Sequence, residues 1–186
     1  MKKLFLMVLV SGLAIVADAE TKKVGSPDGK LVVTLETDGG KLTYQAAYDG
    51  KEMLKKSALG LKTDMGDYSK NLKLEKVSDG KKQEQYTMRG SKASVVDVNM
   101  NTVKMTFSIP GAKRIMTMEM CVGNNDIAYR YLFDGSNDGG KDEPRRVTVL
   151  EEVSSFNLPD VTTTFLCPQI DGNNKGWMGT KPSYEE

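Results

Sequence analysis

Turn-forming residues recur about every 8–12 positions along this chain, and outside the first twenty residues no apolar pattern of helical period reaches ten residues. That grammar confines the chain to short strands: a buried helix needs an apolar stripe of period 3.6, a half-buried strand needs alternation of period two. Ser26-Pro27-Asp28-Gly29 opens the train, and Lys30–Thr37 follows with Leu31, Val33 and Leu35 partly alternating with polar positions. Asp38-Gly39-Gly40 turns the chain into Leu42–Tyr48, and Asp49-Gly50 turns it again into Glu52–Leu54. The pattern predicts an antiparallel meander.

The middle of the chain repeats this grammar. Leu72–Val77, a Ser78-Asp79-Gly80 turn, Gln83–Arg89, Ala93–Met100 and Val103–Ile109 are predicted in that order, the last stopping at Pro110-Gly111. In Arg114–Val122, Met116, Met118, Met120 and Val122 share one face, with Thr117, Glu119 and Cys121 on the other. Asn124-Asn125-Asp126 turns into Ile127–Phe133, where Ile127, Tyr129, Tyr131 and Phe133 share a face suited to a core rather than to a ligand platform. Arg146–Val153 and Thr162–Cys167 complete ten or eleven strands. The class is all-β, with two antiparallel sheets packed face to face, and the lack of a repeat at fixed period argues against a propeller or solenoid.

With 186 residues the chain has room for one domain, not for a catalytic barrel of about 250. It contains no histidine, which excludes a Ser-His-Asp or Cys-His pair and a HExxH zinc site built from this chain alone. Lys2 and Lys3 precede an apolar run from Leu4 to Val16, and Ala17-Asp18-Ala19 supplies a small-x-small cleavage site. This predicts a Sec signal peptide over residues 1–19, a domain over 20–186 and a periplasmic location. The run is too short to span a bilayer, which takes about 20 residues. Cleavage after Ala19 removes Lys2, Lys3 and Asp18 and brings the net charge from +1 to zero. A neutral surface gives no electrostatic reason to bind nucleic acid or an anionic membrane. Cys121 and Cys167 can pair in an oxidising compartment, and Cys121 equally suits a half-buried free thiol in its strand.

Asp134–Glu143 is a polar, glycine-rich loop without the residue order of an EF-hand calcium loop. Adjacent acids such as Glu151-Glu152 point to opposite faces of a strand and make a poor catalytic pair; in a loop, Asp142-Glu143 reads as solvated. From Pro168 onward the chain is mostly polar or loop-forming, yet it carries the single tryptophan, Trp177, which suits an interface anchor or a sugar-stacking platform. Tyr184-Glu185-Glu186 stops without a closing turn and reads as the end of an amino-terminal piece.

Several segments together resemble the amino-terminal domain of glycoside hydrolase family 97, secreted α-glucosidases and α-galactosidases of Bacteroides-like bacteria. They are Ser26-Pro27-Asp28-Gly29-Lys30, Leu42-Thr43-Tyr44 with Tyr48-Asp49-Gly50-Lys51, and Ser57-Ala58-Leu59-Gly60-Leu61. Asn125-Asp126-Ile127-Ala128-Tyr129-Arg130-Tyr131, Glu152-Val153-Ser154-Ser155-Phe156, and Trp177 with Lys181-Pro182-Ser183-Tyr184-Glu185 follow in the family's order. The chain departs from the family at Ile127, where a glycine ordinarily follows Asn-Asp, which reshapes one hairpin. The resemblance implies a β-supersandwich like that of galactose-mutarotase-type domains, packed on a (β/α)8 catalytic barrel that this sequence does not include. It implies α-linked oligosaccharides as substrates of the whole enzyme. It also implies a calcium ion shared with the barrel, to which Glu185, or its neighbour Glu186, lends a carboxylate. No catalytic residue transfers to this chain, because those carboxylates belong to the barrel. A stand-alone carbohydrate-binding sandwich stacking sugars on Trp177, Tyr129 and Tyr131 is the alternative, and a periplasmic interaction or scaffold protein a third. A mutarotase-like enzyme is disfavoured by the absent histidine.

Overall fold

The computed structural model describes residues 19–90, 94–112, 114–133 and 147–164. Eleven strands and no helix occur among them. Strands β1 (Glu20–Gly25), β2 (Leu31–Asp38), β3 (Lys41–Tyr48) and β4 (Lys51–Leu59) form one antiparallel sheet in sequence order. After the short β5 (Leu61–Thr63) and β6 (Gly66–Asp67), strands β7 (Lys73–Thr87), β8 (Val95–Ser108), β9 (Met116–Val122) and β10 (Ile127–Phe133) form a second, in the order β10-β9-β8-β7. The final strand β11 (Val149–Glu152) pairs with β5, which also pairs with β6. The all-β architecture of two packed antiparallel sheets expected from the strand train is therefore adopted, with β11, β5 and β6 adding a third, smaller sheet.

The meander is as predicted. Asp49 and Gly50 both take positive φ, 47° and 77°, the left-handed pair that lets a two-residue hairpin loop follow the strand twist. Between the sheets lies one core: Val33, Leu35, Leu42 and Leu59 from the first, and Val103, Met105, Phe107, Met116, Met118, Met120 and Val122 from the second, all fully buried. Each such side chain contributes about 1.5–3 kcal/mol by leaving water. The methionine face of β9 is thus the core face. On its opposite face Glu119 and Cys121 are also buried, Glu119 lying between Arg130 and Lys104. Cys121 is a buried free thiol, and Cys167 lies outside the described residues.

Three expectations need correction. Ser78-Asp79-Gly80 does not turn the chain; β7 runs straight through it, with Ser78 opposite Lys104, Asp79 opposite Val103 and Gly80 opposite Thr102. Likewise Ala93–Met100 and Val103–Ile109 are not two strands but the single β8, and Asn101 at the junction donates from its amide to the Gly25 carbonyl at 2.8 Å. In both places a continuous ladder with a long partner overrides local turn preference, which is weaker than cross-strand pairing. The sequence carried no expectation for β1, which is too polar in Glu20–Lys23 to show alternation and pairs with β2 along its whole length. Finally, Thr162–Thr164 are not strand; Thr162 N–H closes a turn onto the Pro159 carbonyl. The hairpin holding Ile127 has a four-residue loop between Val122 and Ile127, pinned by Gly123 N–H on the Asp126 carbonyl.

Candidate functional site

Gly60 sits at the bend where the chain leaves β4 for β5, and a group of tyrosines gathers around it. The segment from Val149 to Asn157 runs antiparallel beside this bend. Glu152 stands opposite Leu61, Val153 N–H donates to the Gly60 carbonyl, Ser155 N–H to the Ala58 carbonyl, and Lys55 N–H to the Asn157 carbonyl. The serines and asparagine of the segment knit it further. Ser155 Oγ accepts the Ala58 N–H at 2.9 Å, Ser57 Oγ accepts the Asn157 N–H at 2.9 Å, and Asn157 Nδ2 donates to the Lys56 carbonyl.

Three phenols close on this segment from the two sheets. Tyr131 Oη accepts the Gly60 N–H at 2.8 Å and shares a second hydrogen bond of 2.8 Å with Ser154 Oγ. Tyr129 Oη donates to Glu152 Oε1, and Tyr44 Oη donates to the Ser155 carbonyl at 3.1 Å. Their rings lie 5.8 Å apart for Tyr129 and Tyr131 and 6.0 Å for Tyr44 and Tyr129, with Phe156 edge-on to Tyr44. Tyr129 and Tyr131 thus pack their rings against the core, as their shared face with Ile127 and Phe133 predicts, the Tyr131 hydroxyl part-buried and the Tyr129 hydroxyl on the exposed Glu152.

Burial pushes the phenols of all three up, that of Tyr44 to about 12 and that of Tyr131 further still. A folded-state value above the unfolded one favours the fold fully at pH below about 10, and that contribution is lost as pH rises through the folded-state value. A spectrophotometric titration should therefore show these three ionising after the exposed tyrosines, with the urea midpoint falling only above pH about 10. Ionisation of every tyrosine near pH 10 would contradict the geometry.

Beside the cluster opens an apolar groove of about 380 Å³, lined by Tyr44, Tyr48, Met53, Tyr129 and Phe156, with Asn125 and Asp126 among its few polar residues. The neighbouring acids do not converge on it as a catalytic pair: Glu151 is bound to Lys62 at 2.7 Å, while Glu152 takes the Tyr129 hydroxyl. Among the described residues no cluster of three or more His, Cys, Asp or Glu is placed to hold a metal ion. Trp177, Glu185, Glu186 and the Asp142-Glu143 pair lie outside the described residues. The grouping of Tyr44, Met53 and Phe156 was not visible in the sequence, although Leu42-Thr43-Tyr44 and Glu152–Phe156 had each stood out as segments.

A family model described as "Glycosyl-hydrolase 97 N-terminal" matches residues 24–186. The chain belongs to this family. Among curated proteins, this domain is 30% identical over 178 residues to the retaining alpha-galactosidase of Bacteroides thetaiotaomicron, covering 95% of this chain and 25% of that protein. It is 31% identical over 133 residues to a probable retaining alpha-galactosidase of Streptomyces bingchenggensis, covering 71% of this chain and 19% of that one. The glycoside hydrolase 97 N-terminal domain therefore spans a quarter or less of these relatives. Among solved structures it matches a crystal structure of a beta-arabinopyranosidase at 40% identity and a TM-score of 0.75, over 89% of this chain and 25% of that one. A glycoside hydrolase family 97 enzyme from Pseudoalteromonas sp. strain K8, solved with panose, shares the fold at 19% identity and a TM-score of 0.62, over 75% of this chain and 20% of that one.

Proposed function

We propose that this chain is the non-catalytic amino-terminal sandwich of a secreted, calcium-dependent α-glycosidase, packing on a downstream catalytic barrel. The observation that carries the reading is the family match over 24–186 combined with relatives nearly four times as long. The pairing of Glu151 with Lys62 and of Glu152 with Tyr129 is in keeping with it, since glycoside hydrolysis needs two carboxyl groups facing one bond. A galactose-configured substrate is favoured over a glucose-configured one. The relatives at 30% and 31% identity are alpha-galactosidases, and the 40% structural neighbour is a beta-arabinopyranosidase. α-D-galactopyranosides and β-L-arabinopyranosides share their ring stereochemistry and differ at the C6 hydroxymethyl group.

Calcium takes six to eight oxygens and favours carboxylates, and Glu185 would lend one of them to an ion held mainly by the barrel. The amino-terminal basic, apolar and small-x-small pattern supports export to the periplasm with residues 1–19 removed.

The test compares residues 20–186 with the product of the complete reading frame. On nitrophenyl α-galactoside the longer protein turns over and loses activity on chelation, while the shorter shows neither turnover nor heat of calcium binding at micromolar metal. Turnover by residues 20–186, or micromolar calcium affinity in them, would overturn the reading.

A further inference from the structure

We propose that the groove formed by Tyr44, Met53, Tyr129 and Phe156 is the surface on which the downstream part of the same polypeptide packs, a proposal that rests on the reading above. Phe156 is 68% exposed and Met53 50%, and Leu158 two residues on is exposed as well. Grouped large apolar side chains in water mark an interaction site rather than ordinary surface.

The chemistry of the groove selects a protein occupant over a sugar. A pyranose offers apolar faces to an aromatic ring, but its rim of hydroxyls needs several convergent polar partners. Here the hydroxyls of Tyr44 and Tyr129 are already given to the Ser155 carbonyl and the Glu152 carboxylate, so the rings, not their polar ends, line the groove. Asn125, Asp126 and the Tyr48 hydroxyl are too few to coordinate a sugar's rim.

The size of the relatives identifies that protein. This chain covers 19–25% of the galactosidases it matches, which leaves three-quarters or more of such a polypeptide to be carried against this sandwich. Phe156 is also presented rigidly, because Ser155 and Asn157 on either side of it are hydrogen-bonded to β4 through backbone and side chain. A preorganised apolar knob loses little entropy on docking. By contrast, the outer face of the second sheet beside Glu119 carries Lys104 and Arg130 in ion pairs, and among the described residues the groove there is lined by polar and charged side chains.

Hydroxyl-radical footprinting reads side-chain exposure directly and compares residues 20–186 with the intact protein from the complete reading frame. Modification of Met53 and Phe156 should fall roughly fivefold or more in the intact protein, as expected for side chains entering a close-packed interface. Met88 and Tyr86, exposed on the distant β7–β8 ribbon, serve as internal controls and should change little. Phe156→Glu should restore Met53 modification in the intact protein while leaving the melting temperature of residues 20–186 unchanged, since Phe156 is exposed there. Protection of Met88 and Tyr86 with Met53 and Phe156 unchanged would overturn the surface and leave the domain assignment standing. Identical footprints with no side chain protected would overturn both.

Discussion

Gly60→Ala is expected to destabilise the domain by about 2–5 kcal/mol, combining backbone strain with overpacking. Gly60 holds a φ of +156°, which side-chain-bearing residues rarely adopt, and a Cβ there would lie 2.7 Å from the Ser69 Cα and 3.0 Å from the Tyr68 carbonyl oxygen. Those neighbours are backbone and cannot swing aside. Tyr68 is itself fully buried, with its hydroxyl on the Arg114 carbonyl. Relief must therefore come from moving the bend, which also carries the N–H to Tyr131 Oη and the carbonyl to Val153. Two readouts check this: the urea midpoint, and the late tyrosine step in the alkaline titration, which should move to still higher pH in the folded protein as Tyr131 loses the Gly60 N–H that stabilises its phenolate. Stability within about 0.5 kcal/mol of the parent would show that the bend tolerates a side chain after all.

The second large effect belongs to the core. Phe107→Ala should cost about 3–5 kcal/mol, because the lost transfer energy is compounded by a cavity that neighbours fill only in part. Phe107 is fully buried, pairs with Leu74 on one side and Met116 on the other, and sits where both sheets contribute side chains. Methionines next to it can flex into some of the void, which favours the lower end of the range. Phe156→Ala in the same chain is the contrast, expected within about 0.5 kcal/mol, since an exposed ring has little burial to lose. Equal losses at the two positions in chemical denaturation would mean that the core and the groove have been assigned the wrong way round.

How much of this was legible beforehand follows from the range over which each signal acts. Asp49-Gly50 announces its own hairpin because the positive φ pair is a property of two residues. The run Met116, Met118, Met120, Val122 announces its buried face for a similar reason, since period two is written into the strand itself. The same local logic failed at Ser78-Asp79-Gly80, where the deciding partner, β8, lies more than twenty residues away and holds the triplet straight. It was silent on β1, whose Glu20–Lys23 stretch is a strand only because β2 offers it a ladder.

The candidate site shows the division more sharply. Glu152–Phe156 and Leu42–Tyr44 stood out as family-bearing segments, but no pattern within either says that Tyr44 would donate to the Ser155 carbonyl 111 residues on. By itself, then, the sequence determined the all-β class, most of the turns, the apolar face of β9 and membership of the glycoside hydrolase 97 amino-terminal family. Only the tertiary structure decided that β7 and β8 run on as long strands, that residues 149–157 dock beside β4 and β5, and that three tyrosine hydroxyls bond to that segment. The physical reason is that alternation and turn chemistry are encoded over a few residues. Strand partnership and the burial of a hydroxyl depend on which distant segment arrives to satisfy it.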